Sequence, residues 1–183
     1  MPDIFDEKQS EDSLRQEFEQ TIKSRVQRYL SVKPHGIIPN TKFAVASSEC
    51  SLLFRDGHFY GCIALSQAVS EALVKYICEK NSWSPANSYE ENVHTLQKRG
   101  FISEQLHERF LEIWKDRDSY HHLNDSVTTE IAKLEQIAQE KAKLITLIEE
   151  EVFGFTVDHG KLIPDNPKYW EGNKGEVYLR LDR

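Results

Sequence analysis

The stretch Ser103 to Asp125, S-E-Q-L-H-E-R-F-L-E-I-W-K-D-R-D-S-Y-H-H-L-N-D, decides how the chain is read. Ser103 is a helix cap, and Leu106, Phe110, Ile113 and Trp114 recur behind it at the helical period. The stripe then turns polar, at Arg117, Tyr120 and His121. A second periodic run follows: Val127, Ile131, Leu134, Ala138, Ala142, Ile145, Ile148 and Val152. One unbroken helix over both would reach roughly fifty residues, about 75 Å, too long for a domain of this size. The break is therefore expected at Asn124-Asp125-Ser126, with Ser126 capping the next helix. That leaves Arg117–His122 in the last turn of a helix, where geometry relaxes and a pocket can open.

Working outward, the chain reads as helix after helix. Residues 1–8 are expected to fray. A first helix from about Ser10 to Leu30 carries Leu14, Phe18, Ile22, Val26 and Tyr29 on one face, and Lys33-Pro34-His35-Gly36 ends it. Pro39-Asn40-Thr41 starts a second, with the stripe Phe43, Ala46, Cys50, Leu53 and Phe54, closed by Asp56-Gly57. The third, about Phe59 to Lys80, carries Phe59, Ile63, Ala64, Ala68, Ala72, Tyr76 and Ile77 and is expected at the bundle's centre, since its small residues allow close packing. Glu71, set among them, is expected to be partly exposed or hydrogen-bonded in the core. Ser88 and Glu91 form a capping box for a short helix ending at Arg99-Gly100. The remaining charges of the last helix form a solvated face. After Gly154 the pattern changes to Phe155–Val157, a turn at Asp158-His159-Gly160, Lys161–Ile163 and an alternating Val177–Leu181. The expectation is an all-α bundle of four to six helices over residues 1–153 and a small β-hairpin or meander over 154–183 packed on it.

Composition bounds the function. With 183 residues and 39% hydrophobic content the chain can build a core without staples. A net charge of −7 argues against a broad nucleic-acid surface, though not against a small basic pocket. No apolar run approaches a membrane span, so no membrane association is expected. Cys50, Cys62 and Cys78 have no C-x-x-C spacing and are read as small buried hydrophobes, reduced in a cytoplasmic setting. His58, beside the turn at Asp56-Gly57, is read as a surface residue and His159 as a turn residue, and His94, with no partner at metal-ligand spacing, as a surface residue. H-E-x-x-H, Gly-rich phosphate loop and G-x-S-x-G motifs are all absent.

What remains is Arg117-Asp118-Ser119-Tyr120-His121-His122. Asp118 and His122 share a helix face, as do Arg117 and His121, whereas Arg117 and His122 point about 140° apart. An imidazole titrating near neutrality beside a planar guanidinium suits proton transfer with charge stabilisation at phosphorus. Arg28 to His35 is a second Arg-to-His spacing, discarded because it spans Pro34.

The Arg117-Asp118-x-x-x-His122 pattern resembles the signature of the HEPN superfamily, helical-bundle domains of which many are ribonucleases: Arg, four to six residues, then His, with a polar residue after the Arg. The likeness covers about residues 58 to 152, where the helix from Phe59 also looks like its HEPN counterpart. It implies a metal-independent endoribonuclease, a toxin or defence effector, that cleaves RNA by attack of its own 2′-hydroxyl. His122 would serve as acid and base, Arg117 would hold the phosphorane oxygens, and Asp118 would orient the imidazole or hold the ribose; the place of His121 beside His122 leaves open which imidazole works. No cofactor or metal is implied. Two motifs would meet across a homodimer, with the stripe Leu106 to Trp114 leading into the interface, and an antitoxin or other partner protein is a further expectation. Asn124 stands where some HEPN toxins carry a modified Tyr, so that mode of control is not expected here. The alternative is a non-catalytic HEPN module binding nucleotide, RNA or a partner protein.

Overall fold

Four local signals set helix boundaries. Ser88 Oγ accepts the Glu91 backbone N–H at 3.3 Å and Ser103 Oγ accepts that of Leu106 at 2.9 Å, while Gly57 and Gly100 take φ of 86° and 71° where helices end. The computed structural model describes residues 4–33, 36–39, 41–170 and 178–179. Its elements are α1 (Ile4–Val32), β1 (Ile37–Ile38), α2 (Thr41–Asp56), α3 (Phe59–Lys80), α4 (Tyr89–Lys98), α5 (Glu104–Trp114), α6 (Arg117–His122), α7 (Ile131–Val152), β2 (Phe155–Asp158), β3 (Lys161–Pro164) and β4 (Tyr178–Leu179). The expected helical bundle with a C-terminal hairpin is therefore present.

α3 is the centre of the bundle. It touches α2, α4, α5, α6 and α7, and Cys62, Ile63, Leu73, Val74, Ile77 and Cys78 are all at most 1% exposed around it. Ala68, expected in its packing stripe, is exposed. Two apolar clusters result. The larger gathers Phe43, Leu73, Leu96, Phe110, Ile148 and Phe153, and the smaller joins Val32, Phe54, Phe59, Ile63, Tyr120 and Ala138.

α1 departs from expectation twice. It begins at Ile4 rather than near Ser10, and its stripe of Leu14, Phe18, Ile22 and Val26 lies on solvent, 44–65% exposed. The helix docks by another face: Arg25 Nη2 meets Asp56 Oδ1 at 2.8 Å, Arg28 Nε meets Glu135 Oε1 at 2.9 Å, and Val32 is buried. Pro34, His35 and Asn40, read as helix-ending and helix-starting residues, lie outside the described residues.

α7 starts at Ile131 with Glu130 as its cap, not at Val127 behind Ser126. Its charged face is not wholly solvated either: Lys141 is 6% exposed and Glu149 is fully buried. In the tail, β2 and β3 pair antiparallel through His159 and Gly160 at φ of 48° and 76°, the conformation a two-residue hairpin turn needs. No meander continues from it among the described residues. β4 instead pairs antiparallel with β1, Ile37 against Leu179 and Ile38 against Tyr178. Val177, Arg180 and Leu181 lie outside the described residues. Tyr169 is buried against the bundle, its carbonyl accepting from Tyr76 Oη at 2.7 Å.

Glu71 is partly exposed and pairs with Lys75 at 2.6 Å, as a surface acid would. The three cysteines are buried as thiols, and burial pushes Cys62 up to about 12 and Cys78 up to about 11, far from nucleophilic range.

Candidate functional site

Leu106, Phe110 and Ile113 are at most 4% exposed and face this chain's own core, so the stripe expected to lead into a dimer interface is already buried. α5 then stops at Trp114. Lys115 is extended, Asp116 is left-handed at φ 60°, and the motif occupies α6, a separate six-residue segment closed by a second left-handed residue, Leu123 at φ 49°. The expected break after the motif is there, between α6 and α7, but a second break precedes it. The motif is a short segment of its own rather than the last turn of a long helix.

The cause of the earlier break lies on α7. Lys141 Nζ donates to the carbonyls of Glu112 at 2.6 Å, Ile113 at 3.0 Å and Lys115 at 3.2 Å, and Gln67 Nε2 reaches the last of these at 3.3 Å. A buried ammonium thus takes carbonyls that a continuing helix would have satisfied, at the end where the helix dipole favours a cation. Burial pushes Lys141 down to about 8, against the opposing pull of Glu112 and Asp116. Asp116 is one of the few residue types that tolerate the left-handed turn.

The break rotates α6 relative to α5. Tyr120 turns into the smaller core, 6.2 Å ring to ring from Tyr60. Arg117 folds back so that its guanidinium lies 5.2 Å from the Trp114 ring centroid, and Trp114 in turn stacks on Tyr89 at 3.9 Å and 10°. Tyr89 is fixed from below: its hydroxyl donates to the Phe110 carbonyl at 3.0 Å and receives Ser70 Oγ at 2.6 Å, and burial holds the phenol neutral. Arg117 Nη1 donates to Asp118 Oδ1 at 3.0 Å, while its Nε is shut off from solvent and has no partner among the described residues.

These groups open on a cleft of about 590 Å³ between the ends of α4, α5 and α6. Glu90, Glu108, Glu112, Asp116 and Asp118 line it, with only Lys115 and Arg117 as cations. Of the expected site residues, Arg117 and Asp118 are in the lining, whereas His121 and His122 are exposed and outside it. Asp118 pairs with Arg117 rather than with an imidazole. Among the described residues neither His121 nor His122 has a hydrogen-bond or ion-pair partner.

Trp114, Tyr89, Ser70, Gln67 and Lys141 hold this site and were not singled out for it in the sequence. A second feature also escaped it: His94, read as lacking a partner, meets His107 across the α4/α5 hairpin, Nδ1 to Nε2 at 2.8 Å. The signal was the hairpin itself, which sets the later half of α4, with His94, against the early half of α5, with His107. Among the described residues no group of three or more His, Cys, Asp or Glu side chains gathers as a metal centre, and no helix is long and apolar enough to cross a membrane. In comparisons with known proteins, no family model, curated sequence or solved structure matches the chain.

Proposed function

We propose that this chain is a metal-independent endoribonuclease of the HEPN type whose site is complete only when two copies meet. One observation carries the reading. The segment Arg117–His122 holds a cation fixed at one end and, at the other, two imidazoles that point to solvent with nothing in their own protomer to act on. In this reading His122 takes the proton of an RNA 2′-hydroxyl as that oxygen attacks phosphorus. Arg117 holds the non-bridging oxygens as they gain charge, and an imidazole of the second motif protonates the departing 5′-oxygen, leaving a 2′,3′-cyclic phosphate. The chain would act in the cytoplasm as a toxin or defence effector, with an antitoxin-like partner holding it in check.

The test is cleavage of RNA by purified dimer in the presence of chelator. His122→Ala is expected to lower the rate by about 10²–10⁴ and Arg117→Ala by a similar factor, with helix content unchanged. His121→Ala is expected to cost little; equal losses at both histidines would mean that the pair works jointly.

The carboxylate-rich lining of the cleft favours a second reading, a non-catalytic module, and within it a partner protein over a nucleotide or RNA, because five acids repel phosphates. Dimeric protein that cleaves no RNA, while Arg117→Ala weakens binding of a ligand, would put this reading first.

A further inference from the structure

α1 is longer than the body it packs on. Its 29 residues span about 44 Å, and residues 6 to 20 are all exposed, so roughly its first half stands clear of the bundle. A helix of that length without tertiary contacts is marginal in water. Yet the sequence gives it an apolar stripe: Leu14, Phe18, Ile22, Val26 and Leu30 recur every fourth residue and are 65%, 49%, 44%, 50% and 69% exposed. The Arg25 guanidinium reaches over the stripe, 5.2 Å from the Phe18 ring centroid.

We infer that this face is where two copies of the chain meet, with their α1 helices antiparallel and crossing at Ile22. Charge selects the occupant. Residues 4–19 carry Asp6, Glu7, Glu11, Asp12, Glu17 and Glu19 against Lys8 and Arg15, whereas residues 20–33 carry Lys23, Arg25, Arg28 and Lys33 and no acid. An antiparallel second copy lays the acidic half of each helix on the basic half of the other; a parallel copy opposes like charges. The stripe is its own complement under a two-fold axis at Ile22, which sets Phe18 against Val26 and Glu19 against Arg25. A spacing of four residues drifts about 40° per step, so the ridges interlock at the steep crossing of about 50° and contact is strongest at Phe18, Ile22 and Val26.

The pairing also orients the bundles. α1 leaves the body past Asp56 and Glu135, at the end where Tyr60 touches Tyr120 of α6 and donates to the Thr128 carbonyl at 3.0 Å. Crossing at Ile22 therefore turns the two motif-bearing ends toward each other. This interface rests on α1 alone and stands whether or not the motif cleaves RNA.

The experiment is sedimentation of the full chain at tens of micromolar, with helix content checked by circular dichroism. The wild type is expected to be a dimer and Ile22→Lys a folded monomer. Glu19→Lys, three residues from the crossing, is expected to weaken the dimer severalfold, which it would not do in a parallel pairing, where the residue faces its own copy. Under oxidation Ile22→Cys is expected to link to its own copy. Axes about 8–10 Å apart, with Cα atoms about 2.3 Å off each axis, bring the two Cα atoms to about 3.4–5.4 Å, a range that overlaps the roughly 4.4–6.8 Å a disulfide spans. The native thiols are buried and stay out of the reaction. A wild-type monomer, or a dimer that Ile22→Lys leaves intact, overturns the inference. An Ile22→Lys monomer that still cleaves RNA keeps the interface and removes the shared active site; a wild-type dimer that cleaves nothing keeps the interface and removes the ribonuclease.

Discussion

α1 and α5 carry apolar stripes that look alike as text and have opposite fates. Leu106, Phe110 and Ile113 are buried to 4% or less, while Leu14, Phe18, Ile22 and Val26 remain 44–65% exposed. Periodicity says that one face of a helix seeks cover; it does not say whose surface supplies it. α5 is an eleven-residue arm of a tight hairpin, hemmed in by α3, α4 and α7. α1 outruns the body, and it is fastened to the body by Arg25–Asp56 and Arg28–Glu135 rather than by its stripe. One helix is held by its apolar stripe, the other by ion pairs and by Val32 near its end.

The sharpest way to break that contrast is to cut one aromatic from each stripe. Phe110→Ala removes a ring that is 0% exposed and is expected to cost about 3–5 kcal/mol, enough to unfold a large share of the molecules. Phe18→Ala, measured in an Ile22→Lys background to keep the chain monomeric, is expected to stay within about 0.5 kcal/mol. Denaturant midpoints of the two variants measure the difference. Similar losses at both sites would mean that α1 is packed on its own bundle after all.

What could be read from the sequence was local, and what could not was made at a distance. The caps at Ser88 and Ser103, the span of α3 and the turn at Asp158–Gly160 each depend on neighbours in the chain, and each is in place. The break at Lys115-Asp116 depends on Lys141, 26 residues beyond the Lys115 carbonyl it binds, and a lysine on a charged helix face reads as solvated until its target is known. The same holds at the site. Arg117 and the two histidines were visible as chemistry. The stack of Arg117 on Trp114 and Tyr89, and the turn that carries His121 and His122 away from the cleft, depend on how α4, α5 and α7 come together.

Lys141 also offers a test of how α5 is held, intermediate in size. Its folded pKa lies near 8, below its ordinary value of 10.5. The unfolded chain therefore holds this proton more tightly, and between about pH 8 and pH 10.5 the unfolded state binds more protons than the folded one. Stability contributed at this position is expected to rise across that window, by on the order of 1–3 kcal/mol. Lys141→Met should lack the rise, so the difference in unfolding free energy between wild type and variant is expected to shift toward the wild type as pH increases. A difference that stays flat from pH 8 to 10.5 would mean that the ammonium is hydrated in solution, and that the break before the motif is not maintained by a buried charge.

The smallest effect belongs to α1, and with pH it runs in the same direction. Asp56 sits between Arg55 and Arg25, which hold its carboxyl at about 2, below the ordinary 3.8. A carboxylate depressed on folding adds stability above its unfolded pKa, and that stability is lost as pH falls from about 4 through 2. The group is partly solvated, so the contribution is that of a near-surface ion pair, about 0.2–1 kcal/mol, and it should shrink further in strong salt. Asp56→Asn is expected to cost this amount near pH 6 and almost nothing near pH 2, where the wild-type carboxyl is itself becoming neutral. The loss should appear first as faster amide exchange over residues 24–32, measured against Asp56→Asn at each pH so that intrinsic exchange rates cancel, with α5 unchanged. If α5 loosens together with α1, the two helices are not fastened by different forces, and the contrast between their stripes is one of exposure alone.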